Sequence, residues 1–177
     1  MSKLKPGVST KDHHTGNVKA PIILVEYGDF ECPHCKHAHK LMKRLLKEWG
    51  DSLHFVFRNF PLREIHPNAY PSAIAAEAAG RQNKFWEMHD LIFENQSAIN
   101  PDFLIMLAKQ IGLDLVQFKE DMQSNTILKK IDMDFESGIR SGVNGTPTFF
   151  LNGAYVSTYD ESYESLANAI QDKLQEV

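Results

Sequence analysis

Residues 21–35 read Pro21-Ile22-Ile23-Leu24-Val25-Glu26-Tyr27-Gly28-Asp29-Phe30-Glu31-Cys32-Pro33-His34-Cys35. The run from Pro21 to Tyr27 is rich in Ile, Leu and Val, as a strand buried on both faces is. Directly after it come two cysteines three positions apart, and then a helical pattern. Leu41, Met42, Leu45, Leu46 and Trp49 recur at helical spacing, with Lys36, Lys40, Lys43, Arg44 and Lys47 on the other face, so an amphipathic helix is predicted to end near Gly50. Leu53 to Phe60 alternates with aromatic and β-branched residues and stops at Pro61, which predicts a second strand. Strand, helix, strand in this order implies a right-handed parallel crossover unit.

Further along, Pro61 to Met122 is too long to be an unstructured connection inside a compact domain and must carry its own elements. Ala73 to Ala79 is dense in alanine. Phe85, Met88, His89 and Ile92 share a helical face, and Asn100-Pro101-Asp102 reads as a helix start with proline in the first turn. Asp114 is placed to cap a short helix through Phe118 and Met122. A longer helix is predicted from about Asn125 to Ser141, with Leu128, Ile131, Phe135 and Ile139 as its buried stripe. After Gly142 the pattern changes to Gly145-Thr146-Pro147, then Thr148-Phe149-Phe150-Leu151, Asn152-Gly153 and Ala154-Tyr155-Val156-Ser157. Asn-Gly between two short runs is a strong hairpin signal. Phe149 and Phe150 are expected to divide between core and groove. A last helix is expected from Asp160, with Tyr163, Leu166, Ala167, Ile170 and Leu174 on one face.

A chain of 177 residues is enough for one well-buried domain. The formal charge of -4, without a long single-sign run, argues against a nucleic-acid partner. The first 17 residues are polar and have no apolar core for a signal peptide, which reads as cytoplasmic, or as periplasmic or otherwise extracytoplasmic if a leader has been removed. No membrane insertion is expected. Two cysteines so close together cannot staple a fold of this size, so their role is chemical.

With Cys32 at the helix start, a spacing of three puts the two Cβ atoms about 5–6 Å apart, a modest adjustment from the roughly 3.5–4.5 Å of a disulfide. Unpaired first-turn N–H groups and the positive end of the helix dipole favour a Cys32 thiolate. Pro33 has no intrahelical N–H bond to lose there. His34, between the sulfurs, adds a donor or a positive charge. If these effects together supply about 3–4 kcal/mol, the Cys32 pKa falls by roughly two to three units. A stabilised thiolate makes the disulfide a stronger oxidant. Cys32 is the predicted attacking, exposed sulfur and Cys35, one turn deeper, the resolving one. The pair is therefore expected to exchange disulfides with protein or peptide thiols. Two other readings stay open: a zinc site, since Cys35 and His39 share a helix face at i, i+4, and a non-catalytic peptide-binding module. His37 and His39 alone read as solvated polar-face residues, and His66 and His89 as capping or packed ones.

The order of elements, the CPHC motif at the first helix and GTPTFFLNG before a hairpin resemble the thioredoxin superfamily. Within it the chain is most similar to the DsbA-like branch, which carries a helical insertion. The likeness extends over VEYGDFECPHC, HPNAYPSAIAAEAAG, NKFWEMHDLIFENQ and SGVNGTPTFFLNG, from about Pro21 to the C-terminus. It implies an α/β thioredoxin-like fold with a helical insertion between the second strand and the helix preceding the cis-proline loop. On that pattern residues 1–20 are a polar N-terminal extension, 21–60 and 123–177 the thioredoxin-like domain, and 61–122 the inserted helical subdomain. The resemblance further implies a cis Thr146-Pro147 bond facing the cysteines, with backbone at Thr146 free to hold a substrate strand. It implies that Glu26 is a buried acid shuttling the proton of Cys35. A recycling redox partner is expected, and no organic cofactor or metal. The direction of electron flow is left open between net oxidant and cytoplasmic reductase or isomerase, since threonine before the proline also resembles the isomerase branches.

Overall fold

A computed structural model describes residues 2–176. In chain order the elements are β1 (His13–Gly16), β2 (Ile22–Gly28), α1 (Pro33–Trp49), β3 (Leu53–Asn59), α2 (Ala69–Gly80), α3 (Phe85–Glu94), a 3-10 turn (Gln96–Ala98), α4 (Pro101–Gln110), α5 (Leu115–Asp121), α6 (Asn125–Ser141), β4 (Thr148–Leu151), β5 (Ala154–Tyr155) and α7 (Tyr163–Gln175). The sheet order is β1-β3-β2-β4-β5. β2 and β3 are parallel, from Ile22 opposite Leu53 to Gly28 opposite Asn59, with α1 as the crossover. β4 runs antiparallel to β2, with Glu26 opposite Phe149 and Tyr27 opposite Thr148. This mixed α/β arrangement is the expected thioredoxin-like one, with α2 to α5 standing between β3 and α6.

The polar N-terminal segment contributes to the sheet. β1 pairs antiparallel with the outer edge of β3, and Lys3 bridges to Ala154 at the opposite edge. Nothing apolar in this stretch announces a strand. It is held by side chains: Asp12 accepts from Arg58 at 2.8 and 3.1 Å, and His13 pairs with Glu77 at 2.9 Å while stacking on Phe85. With β1 on one side and β2 on the other, all seven β3 residues are buried, so the alternation read in the sequence does not separate a wet face from a dry one. His54, Arg58 and Asn59 are the polar members. Arg58 donates to Asp12, to the carbonyls of Pro6 and Gly7, and to the Tyr27 hydroxyl.

Alternation along β2 sends Leu24 and Glu26 to the face under α1 and Val25 and Tyr27 to the other. The first face joins the larger core with Phe30, Phe57, Phe149 and both cysteines; the second packs with Val56, Phe60, Val143 and Phe150. Phe149 and Phe150 are thus both core, on opposite faces of the sheet, rather than one core and one groove. α2 is alanine-rich and buried nearly all round, which lets it pack against α3, α4, α5 and α6. Asn100 and Asp114 cap α4 and α5 as their sequences suggest.

The buried stripe of α6 differs from the expected one. Ile127, Ile131, Asp134 and Gly138 face inward, Leu128 and Phe135 are half-buried, and Ile139 is 55 % exposed. Polar pairing sets this rotation. Asp134 accepts from the Asn59 backbone at 3.1 Å and from Lys130 at 2.7 Å, and Ser137 meets the Tyr27 hydroxyl at 2.8 Å. Gly138 lies against the sheet so closely that a Cβ would come within 2.6 Å of the Phe60 ring. Hydrophobic spacing alone cannot detect a helix face built on a carboxylate, a hydroxyl and a glycine. At the hairpin, Asn152 and Gly153 have φ of 47° and 82°, the left-handed pair that a tight two-residue turn requires.

Candidate functional site

Cys32 is the N-cap of α1, with extended backbone (φ −71°, ψ 123°), and Pro33 is the first helical residue. Both cysteines carry free thiols. Cys35 is completely buried and Cys32 is only 4 % exposed. The expectation of an exposed Cys32 is therefore modified: its sulfur sits under the Thr146-Pro147 loop, 3.3 Å from the Thr146 carbonyl oxygen. The Thr146-Pro147 bond is cis. Pairing of Thr148 with Tyr27 brings this loop over the end of β2, and the Thr148 hydroxyl closes it by donating to the Gly145 carbonyl at 2.7 Å.

The electrostatics split the two thiols. A hydrogen bond from Cys35 holds the Cys32 pKa down to about 5 against the opposing effect of burial, helped by Thr146 and by the N–H groups of Cys35 and His34. Burial pushes the Cys35 thiol well up, and its donation to Cys32 and the charge of Glu26 add to this. The Asp29 N–H, 3.4 Å from the Cys35 sulfur, works the other way.

Glu26 lies under the same helix, 2 % exposed, with Oε1 lacking any partner. Burial first, and the nearby Cys32 charge second, raise its carboxyl to about 8. It is not the exposed strand-end residue that its position alone would allow. Tyr159, which the sequence does not single out, packs edge-on against Phe149 and has a buried hydroxyl without a partner.

The His34 side chain is exposed. Its ring turns outward to Glu161 at 2.8 Å, both groups being about half exposed, and Glu161 raises its pKa. The His34 backbone N–H lowers the Cys32 pKa, and the Cys32 charge in turn helps raise that of the imidazole, so a protonated ring favours the thiolate as well. His37 reaches the Glu161 carbonyl at 2.8 Å. His39 is not solvated: it is buried beside His89 and Phe93, with burial as the leading cause of a pKa near 4.

Several polar residues around the loop escape sequence reasoning. The Asp29 carboxylate accepts from the N–H groups of Glu31 and Leu62 at 2.8 and 2.9 Å and meets His66 Nδ1 at 2.8 Å. Glu31 accepts from the side chain of Asn68 at 2.9 Å. Gln96 reaches the carbonyls of Phe30 and Cys32. The only local hint is that Asp29 and Glu31 immediately precede the cysteines.

Among the described residues, the one cluster of three metal-type donors is His39, His89 and Asp90, which contains no cysteine. The Cys35–His39 pairing weighed for zinc therefore lacks a third donor, and His39 faces α3. Two clefts, of about 770 Å³ around Arg58 and Lys130 and about 620 Å³ around Leu62 and Phe135, touch neither cysteine nor the Thr146-Pro147 loop.

Residues 8–172 match the family model described as thioredoxin. The chain is 43 % identical over 143 residues to the Na(+)/H(+) antiporter NhaA 1 of Salinispora arenicola, covering 81 % of this chain and 22 % of that protein. It thus spans about a fifth of the length of that curated relative, and no helix among the described residues is long and apolar enough to cross a membrane. Among solved structures it is similar to oxidised BdbD from Bacillus subtilis, with a TM-score of 0.85, 23 % identity and coverage of 99 % of this chain and 98 % of that one. It is also similar to α-DsbA1 from Wolbachia pipientis, with a TM-score of 0.81, 21 % identity and coverage of 96 % and 94 %.

Proposed function

Since the chain belongs to the thioredoxin family, we propose that it is a DsbA-like thiol–disulfide oxidoreductase acting on protein or peptide thiols. The observation that carries this reading is the opposite tuning of two adjacent sulfurs, Cys32 held down to about 5 and Cys35 pushed up. A client thiolate attacks Cys32 of the disulfide form; the Cys32–Cys35 bond breaks, and Cys35 leaves and takes a proton. Glu26, with a pKa of about 8, is protonated at pH 7 and supplies it. The client is now joined to Cys32. Its second thiolate attacks the client sulfur, and Cys32 departs as a stable anion. Two electrons have passed to the pair and the client holds a disulfide.

The same groups run in reverse when Glu26 as carboxylate accepts the Cys35 proton and the resolving thiolate attacks Cys32. Because the low pKa stabilises the reduced form, the disulfide is oxidising, and net disulfide formation is the favoured direction. This poise fits an extracytoplasmic compartment with a separate partner that reoxidises the pair. The Thr146 backbone beside Cys32 is the proposed anchor for an extended client segment, paired as an added strand.

Refolding of a reduced client and reduction of insulin, each with wild type, Cys32→Ser and Cys35→Ser, test the reading. Loss of both activities in Cys32→Ser, with accumulation of a mixed disulfide in Cys35→Ser, is expected. Unchanged behaviour of both variants would identify a binding module instead.

A further inference from the structure

The side-chain nitrogen of Gln96 donates to two backbone carbonyls at once, Phe30 O at 2.9 Å and Cys32 O at 2.8 Å. A primary amide has two N–H donors in a fixed fork, and both are used here on the residues that flank Glu31. The assignment of nitrogen rather than oxygen follows from the partners, since both are acceptors. Gln96 belongs to the 3-10 turn after α3, so it reaches the cysteine loop from the helical segment. The same segment grips the rest of the loop through Leu62 and His66 on Asp29 and through Asn68 on Glu31.

Resting on the reading of Cys32 as the nucleophile, we propose that Gln96 is a positioning residue for it. Cys32 is the N-cap, and its backbone angles decide whether its sulfur faces the N–H groups of His34 and Cys35. By tethering the Cys32 carbonyl, which also accepts from Lys36 N at 3.1 Å, the amide fixes those angles. It also engages the negative end of the Phe30 carbonyl dipole, which would oppose ionisation of the sulfur if it turned toward it. The helical segment therefore sets the chemistry of the cysteine pair.

The test uses Gln96→Met, of similar length without donors, Gln96→Glu, of the same shape with acceptors in place of donors, and Gln96→Asn, a shorter amide. The readouts are the pH profile of Cys32 alkylation and the equilibrium constant with glutathione, beside the melting temperature. Gln96→Met is expected to raise the titration midpoint by about one unit and to lower the oxidising constant about tenfold. Gln96→Glu should move both further and Gln96→Asn less. Variants that lose stability yet keep the wild-type titration and constant would overturn the proposal, leaving Gln96 a packing residue. If the substituted proteins fail to fold, Gln96→Asn, which retains the amide, carries the comparison, and a wild-type titration there overturns it equally. An ordinary titration in the wild type itself would refute the nucleophile assignment as well, and is recognised without any variant.

Discussion

The sulfur of Cys32 lies 3.3 Å from the carbonyl oxygen of Thr146, and the Thr146 hydroxyl beside it is buried without a partner. A thiol can donate to that carbonyl, whereas an anion is repelled by it and attracts a hydroxyl. Ionisation of Cys32 should therefore exchange one Thr146 contact for the other and free the carbonyl for a client N–H. Thr146→Val removes the hydroxyl at similar volume and should raise the Cys32 pKa, while Thr146→Ser should leave it near the wild-type value. Thiolate absorbance in the ultraviolet as a function of pH reads both.

Cys35 is the leading cause of the low Cys32 pKa. Cys35→Ala deletes the donor and should move the Cys32 midpoint up by one unit or more, roughly a fivefold or greater loss of thiolate at pH 5. Cys35→Ser keeps a hydroxyl donor and should move it less. Equal shifts in the two variants, measured by the same titration, would show that the donor is not what matters.

Glu26 imposes a pH dependence on stability whose sign can be worked out. Its folded pKa of about 8 lies above the ordinary value of 4.5. Below pH 4.5 the group is protonated in both states and costs nothing. Between 4.5 and 8 the unfolded chain releases the proton while the folded one keeps it, so stability falls as pH rises, by an amount of the order of 5 kcal/mol in total. Above 8 this contribution is flat. Glu26→Gln should flatten the slope in urea unfolding curves taken across that window. It should also slow release of the mixed disulfide, because the resolving thiol loses its proton partner.

Arg58 and Asp12 form a buried pair, 3 % and 5 % exposed, that fixes the N-terminal strand to β3. Arg58→Met leaves Asp12 without its cation and three oxygen acceptors without their donor. A loss of about 3–5 kcal/mol in equilibrium unfolding is expected, characteristic of an uncompensated buried charge. Removing both partners together in Arg58→Met/Asp12→Leu should cost less than the sum of the single changes.

The strand–helix–strand unit, the Asn152-Gly153 turn and the caps at Asn100 and Asp114 were readable because each is a local pattern with its own physical cause. The cysteine pair was readable for the same reason. What the sequence hid is held by polar contacts between distant residues. β1 has no apolar period and depends on Arg58 and Glu77. The inward face of α6 depends on Asp134 and Gly138, and the orientation of His34 depends on Glu161, 127 positions away by subtraction of residue numbers. Gln96 and Asp29 gave no periodic signal, since one is a single amide in a 3-10 turn and the other a single acid before the helix. The family resemblance placed the Thr146-Pro147 loop opposite the cysteines, but how deeply that loop buries Cys32 depends on packing between distant parts of the chain.

The rate of Cys32 alkylation by iodoacetamide between pH 3.5 and 9, measured on the reduced Cys35→Ser protein and on the wild type, tests the central claim most directly. Relative rates are what count, since coverage by the Thr146-Pro147 loop slows every reagent alike. The account predicts a wild-type profile that rises through a midpoint near 5 and is flat by pH 7. A single rise centred near 8.5 or 9, as for an unperturbed cysteine, would contradict it.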